Sequence, residues 1–127
     1  MKTIEINSLV LAYLGDSVYE LYVREFLIRR GIGKVKELQE EAKKYVTATR
    51  QALYLKKLIE DNFFFEEELT ILRRARNTKS HQPPKGCDRG TYQLATALEA
   101  IIGYLKIEKQ EERIKELMNK ILREELC

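Results

Sequence analysis

LAYLGDSVYE, residues 11–20, sets a single acid, Asp16, directly after a glycine in the middle of an apolar stretch. Asp is a poor helix-interior residue and is rarely buried without a partner, so a carboxylate between Leu14 and Val18 asks for a reason. The same stretch decides the fold. Outward from it, apolar residues run densely as far as Leu27. Asn7 or Ser8 offers an N-cap, and RRGIG (29–33) offers a stop, with Gly31 available for a left-handed cap. Residues 8–29 therefore read as a helix. It carries more apolar side chains than one core-facing stripe needs, which implies burial on more than one side.

The rest of the chain repeats the helical pattern. KVKELQEEAKKYV (34–46) is a second, more polar helix. Thr47 can cap a third that runs through RQALYLKKLIED, with Leu55, Leu58 and Ile59 on one side. NFFFEEE leads into a fourth, with Glu66, Glu67 and Glu68 in its first turn and Arg73, Arg74 and Arg76 in its last, the charge order a helix dipole favours. NTKSHQPPKGCDRG (77–90) holds both prolines and two glycines and is the one clear break. A connector of that length inside a compact domain is usually functional or disordered. A fifth helix follows from about Thr91 to Ile107, again heavily apolar. A sixth, about 109–125, carries Ile114, Leu117, Met118, Ile121 and Leu122 as a single stripe at i, i+3, i+4, i+7 and i+8. No strand-like alternation and no internal repeat occurs. The fold class is all-α, with about six helices in one domain, 1–127.

The totals narrow the function classes. The 127 residues are enough to bury a core without disulfides or a structural metal. Hydrophobic residues at 44% and charged residues at 34% describe a globular chain with a well-charged surface. No apolar run is long enough to span a bilayer, and MKTIEINS is too polar for a secretory leader, so a cytoplasmic location with no membrane partner is expected. Cys87 and Cys127 make a poor disulfide framework, and with His81 as the one histidine a zinc site is not expected. Net charge is only +3, but Arg73, Arg74, Arg76, Lys79, Lys85 and Arg89 face a single acid, Asp88, within 73–89. The basic character belongs to one segment.

Two apolar helices thus each carry one conspicuous acid. Asp16 lies in the first, and Glu99, within LATALEAIIGYL, is the only charged residue between Leu94 and Leu105. A carboxylate in such a place costs several kcal/mol unless it meets a cation, a metal or hydrogen-bond donors. Each acid taken singly also fits a bland role, at the edge of a buried face and bonded to a Lys, Arg or Tyr. Taken together, with a basic segment just before the second, they suggest a metal site acting on a phosphodiester.

LAYLGDSVYELYV resembles the motif of the ribonuclease III family in which a Leu-Gly-Asp-Ser/Ala-Val stretch bears a catalytic aspartate. ALEAIIGYL is similar to the family's second motif, Glu-Ala-Leu-Ile-Gly, which bears a catalytic glutamate. RRARNTKS before the second motif, with no room for a double-stranded RNA-binding domain, resembles the Mini-III branch, the bare catalytic domain. The resemblance implies a Mg²⁺-dependent endoribonuclease, with Mn²⁺ a possible substitute, that cuts double-stranded RNA to leave 5′-phosphate ends. The branch's substrate is precursor 23S (large-subunit) ribosomal RNA, which also implies a pre-ribosome or ribosomal-protein context. Asp16 and Glu99 take the catalytic and metal-binding roles. Ala12 and Thr96 stand where larger family members have a Glu and an Asp. Two carboxylates alone would bind Mg²⁺ weakly, leaving it several waters and a dependence on substrate phosphate oxygens. Glu20, four residues after Asp16, could orient the attacking water or, more economically, pair with Arg24.

The candidate RNA contacts are Arg74, Arg76, Lys79, Lys85 and Arg89, with Asn77, Thr78 and Gln93 as polar additions. Arg74, at the end of a helix, could instead serve that helix. Cutting both strands of a duplex needs two sites, and the family's twofold homodimer supplies them. The excess apolar surface of the first helix agrees, with Tyr13, Leu14, Val18 and Leu21 as contributors. Two other readings stand beside the nuclease. One is a catalytically inactive ribonuclease III-like RNA-binding module in a ribosome-associated particle, which the missing acids at 12 and 96 favour. The other is a helical interaction protein whose basic loop meets an acidic partner.

Overall fold

A computed structural model describes residues 2–78 and 83–123. After a 3-10 turn at Thr3–Glu5 come six helices: α1 (Ser8–Arg29), α2 (Val35–Val46), α3 (Ala48–Glu60), α4 (Glu66–Asn77), α5 (Arg89–Ile107) and α6 (Glu111–Leu122). No strand occurs among the described residues.

α5 is the axis of the molecule. From Leu94 to Leu105 every residue but Glu99 is buried, so the helix is apolar almost all round. α1, α3, α4 and α6 pack around it, and α2 closes the structure against α1 and α3. α6 fulfils its sequence pattern, with Ile114, Leu117, Met118, Ile121 and Leu122 all buried.

Local chemistry sets the helix ends. The Asn7 side chain accepts from the Leu9 amide at 2.7 Å and starts α1. Gly31, at φ 96°, ends it, a conformation glycine adopts without steric cost. Thr47 separates α2 from α3 and caps α3 through the Arg50 amide. The Tyr19 hydroxyl donates to the Tyr45 carbonyl at 2.5 Å and that of Tyr54 to the Lys44 carbonyl at 3.0 Å, fastening the end of α2 to α1 and α3. α5 begins at Arg89, two residues before the sequence pattern suggests. The reason is Asp88, whose carboxylate accepts from the Thr91 amide at 2.8 Å and from its hydroxyl at 3.0 Å.

One acid of the fourth helix differs from its sequence reading. Glu66 and Glu67 are exposed first-turn anions, but Glu68 is buried and faces Arg113 of α6 across two 2.8 Å hydrogen bonds. Arg113 also donates to the Phe63 carbonyl at 2.6 Å and lies 4.1 Å from the centres of the Phe63 and Phe65 rings. A third Glu68 bond, from the Phe65 amide, closes the start of α4. These partners satisfy both buried charges, which is the condition for burying an ion pair.

α1 is not buried on every side within one chain. Val10, Tyr13, Leu21 and Ile28 are exposed and Leu14 is half-buried. Their spacing puts them along one face of the helix. Val18 is the exception among the residues expected to meet a partner: it is buried in its own chain's core and unavailable to another.

Candidate active site

The α1–α5 crossing brings Asp16 and Glu99 together. Gly15 immediately precedes Asp16, and Gly103 lies one turn beyond Glu99. A Cβ on Gly15 would overlap the main-chain carbonyl of Glu99, and one on Gly103 would overlap that of Leu11. Both glycines are therefore fixed by close approach of two backbones, which no side-chain-bearing residue allows. The contact sets Asp16 and Glu99 beside each other from opposite helices.

The Glu99 side chain is half-buried, whereas Asp16 is exposed at the rim rather than enclosed by the apolar residues around it in sequence. The Asp16 carboxylate and the Gln51 side-chain amide both act on the Glu99 carboxyl, the amide as a donor to its charged form. Burial first, then the bond to Asp16 and the Asp16 charge, push the Glu99 carboxyl from its ordinary 4.5 up to about 9; the Gln51 donor acts in the opposite direction. Glu20 lies near enough for its charge to add to the rise, while its own carboxylate pairs with Arg24 at 2.8 Å.

Two facing carboxylates relieve their repulsion by sharing a proton or by holding a cation. The donors here are carboxylate oxygens, the set a hard divalent ion takes. Among the described residues no group of three or more His, Cys, Asp or Glu converges on a metal position. An ion between Asp16 and Glu99 would thus have two protein carboxylates and would fill its shell with water and phosphate oxygens. Ala12 and Thr96, one turn before each acid, are both buried and add no charge.

The basic segment divides. Arg76, Lys85 and Arg89 are exposed, as are Arg73 and Asn77, the last residue of α4. Gln93 is half-buried in α5, and the Thr78 hydroxyl donates to the Arg74 carbonyl at 2.7 Å. Arg74 is engaged elsewhere: its guanidinium donates to the carbonyls of Ile4 and Ile6, the latter at 3.0 Å, and so fastens the N-terminal turn to α4. Lys79, His81 and Cys127 lie outside the described residues. One residue at the site escapes the sequence reading. It is Gln51, although it occupies the position four before Leu55 on the core-facing stripe of α3, where a polar residue is itself a signal.

The model of the Ribonuclease III domain matches residues 9–110, a span that contains both acids and both glycines of the crossing. The chain belongs to the ribonuclease III family. Within that family it is similar to the Mini-ribonuclease 3 of Staphylococcus aureus, 45% identical over 117 residues, 92% of this chain and 87% of that protein. The Mini-ribonuclease 3 of Enterococcus faecalis is 40% identical over 115 residues, 91% and 87% of the two chains. The crystal structure of protein FN1578 from Fusobacterium nucleatum has the same ribonuclease III fold, with a TM-score of 0.87 at 37% identity, covering 97% of this chain and 99% of that one. These relatives identify the chain as a Mini-III ribonuclease of the family. No helix among the described residues is long and apolar enough to cross a membrane.

Proposed function

We propose that this endoribonuclease is Mg²⁺-dependent, cleaves double-stranded RNA to leave 5′-phosphate ends, and matures precursor 23S ribosomal RNA in the cytoplasm as a twofold homodimer. The observation that carries the reading is the convergence of Asp16 and Glu99 from two helices whose backbones touch.

Asp16 and Glu99 would hold the ion, with Mn²⁺ a workable substitute. When bound, Mg²⁺ polarises the scissile phosphate and lowers the pKa of water near it. The chain's own residues do the rest. Glu99, whose carboxyl burial and the neighbouring acid push up, would release its proton to solvent water as the ion binds, so that both acids present negative charge to the ion. Asp16, at the exposed rim, faces the side from which RNA arrives. Arg76, Lys85 and Arg89, with Lys79, Asn77, Thr78 and Gln93, neutralise and position backbone phosphates without reading sequence. Arg74 acts through the N-terminal turn it holds. The exposed face of α1, with Tyr13, Leu14 and Leu21, meets a second copy, and two sites then address two strands.

The test is incubation of a long duplex RNA with the protein, with and without Mg²⁺, beside Asp16→Asn and Glu99→Gln. Cleavage is expected only with Mg²⁺ and only in the parent. Both variants are expected to keep their helicity by circular dichroism and to bind the duplex. An inactive RNA-binding module would instead retain the duplex whole in every lane, and a protein-binding module would not retain it at all.

A further inference from the structure

Gln51 is the third side chain at the acid pair, and it comes from a third helix. It is 4% exposed, in the first turn of α3, on the stripe that Leu55 and Leu58 continue into the core. A buried amide is costly unless it is hydrogen-bonded, and an apolar residue would suit that stripe better. α3 packs directly on α5, and there the amide acts as a donor that favours the charged form of Glu99. Its mounting is rigid: the Gln51 main-chain N–H donates to the Thr47 carbonyl at 2.9 Å, Thr47 caps the helix, and Tyr54 one turn on is tied to α2.

The chemistry of the donor is informative. A Lys or Arg here would orient Glu99 but cancel the charge that a cation needs. A neutral amide orients it and leaves the charge in place. Glu99 has three side-chain torsions, and a fixed donor from another helix selects one carboxylate orientation, with an oxygen left toward Asp16. On the nuclease reading above, we infer that Gln51 is a positioning residue for the divalent cation, holding the Glu99 carboxylate in the orientation that lets it share an ion with Asp16.

The experiment compares Gln51→Met, which keeps length and volume without the donor, and Gln51→Glu, which adds a third carboxylate. Two quantities are read: Mn²⁺ binding to the RNA-free protein, by the electron paramagnetic resonance signal of the free ion, and the Mg²⁺ concentration that half-saturates cleavage of duplex RNA. Loss of an orienting partner typically weakens a metal site by 10–100-fold. Gln51→Met is therefore expected to need ~10-fold more Mn²⁺ and Mg²⁺, with the KM for duplex unchanged. Gln51→Glu is expected to bind Mn²⁺ more tightly than Gln51→Met. Parent-like metal requirements in a folded Gln51→Met protein would overturn the inference. So would equal weakening in both variants, or loss of folding in both, since either result makes Gln51 a packing residue. The nuclease reading fails separately: it falls if Glu99→Gln cleaves as the parent does, whereas an inert Glu99→Gln beside a parent-like Gln51→Met removes only the role of Gln51.

Discussion

At the scale of single residues, Glu99 ties stability to pH. Its carboxyl has an ordinary value of 4.5 and a folded value of about 9. Between those two, the folded chain keeps a proton that the unfolded chain has lost, so stability falls as pH rises through that window. Asp88 works in the opposite sense, held below its ordinary 3.8 chiefly by the Thr91 amide, but it acts below that window. The metal-free protein is therefore expected to melt at a higher temperature at pH 5.5 than at pH 8.5. Glu99→Gln keeps a donor for Asp16 and carries no proton to lose. It is expected to flatten that dependence and to exceed the parent by about 1–3 kcal/mol at pH 8.5. Calorimetry in the presence of a chelator measures both, and a parent equally stable at the two pH values would contradict the raised Glu99 carboxyl. Asp16 and Glu99 were legible in sequence because each is a lone charge in an apolar run. Gln51 was not, because a polar residue in the first turn of a helix is ordinary until a core-facing register is assigned to it. Nor was the burial of Glu68, which depends on Arg113 arriving from another helix, a pairing that no local pattern encodes.

Among the elements, the crossing of α1 and α5 governs the site. Gly103→Ala forces a methyl group into the Leu11 carbonyl, so the helices must part. Overpacking of this kind costs about 1–3 kcal/mol and can cost more. Urea denaturation is expected to register the loss, together with a fall in cleavage out of proportion to it, because separation of the helices separates the acids. The basic residues Lys85 and Arg89, just before and at the start of α5, give the second expectation at this scale. Lys85→Ala with Arg89→Ala is expected to weaken duplex binding and to flatten the dependence of log affinity on log salt, by roughly 0.7–0.9 for each phosphate no longer neutralised. An unchanged slope would remove these residues from the RNA surface. The helices themselves were readable from the period of apolar residues and from caps such as Asn7 and Gly31. The start of α5 was not, since side-chain capping by Asp88 extends a helix beyond its apolar pattern.

For the molecule as a whole, the exposed face of α1 is the feature a single chain leaves unresolved. Tyr13 is 85% and Leu21 62% exposed, large apolar side chains aligned on a helix that also carries Asp16. Tyr13→Glu with Leu21→Glu is expected to convert a dimer to a monomer in sedimentation equilibrium. It is also expected to abolish paired cuts on opposite strands while leaving each chain folded; a parent that sediments as a monomer would refute the twofold arrangement. Density of apolar residues along α1 signalled a surplus, but which of them turn outward depended on the rotation of α1 against α5, and that rotation put Val18 inside. The glycine-to-carbonyl contacts that set this rotation have a further effect. Main-chain atoms, rather than adjustable side chains, gauge the gap between the two helices at the acids, so any adjustment between the carboxylates is left to their side-chain torsions. Widening that gap means dismantling the centre of the fold, so the backbone spacing at the pair is as durable as the fold itself.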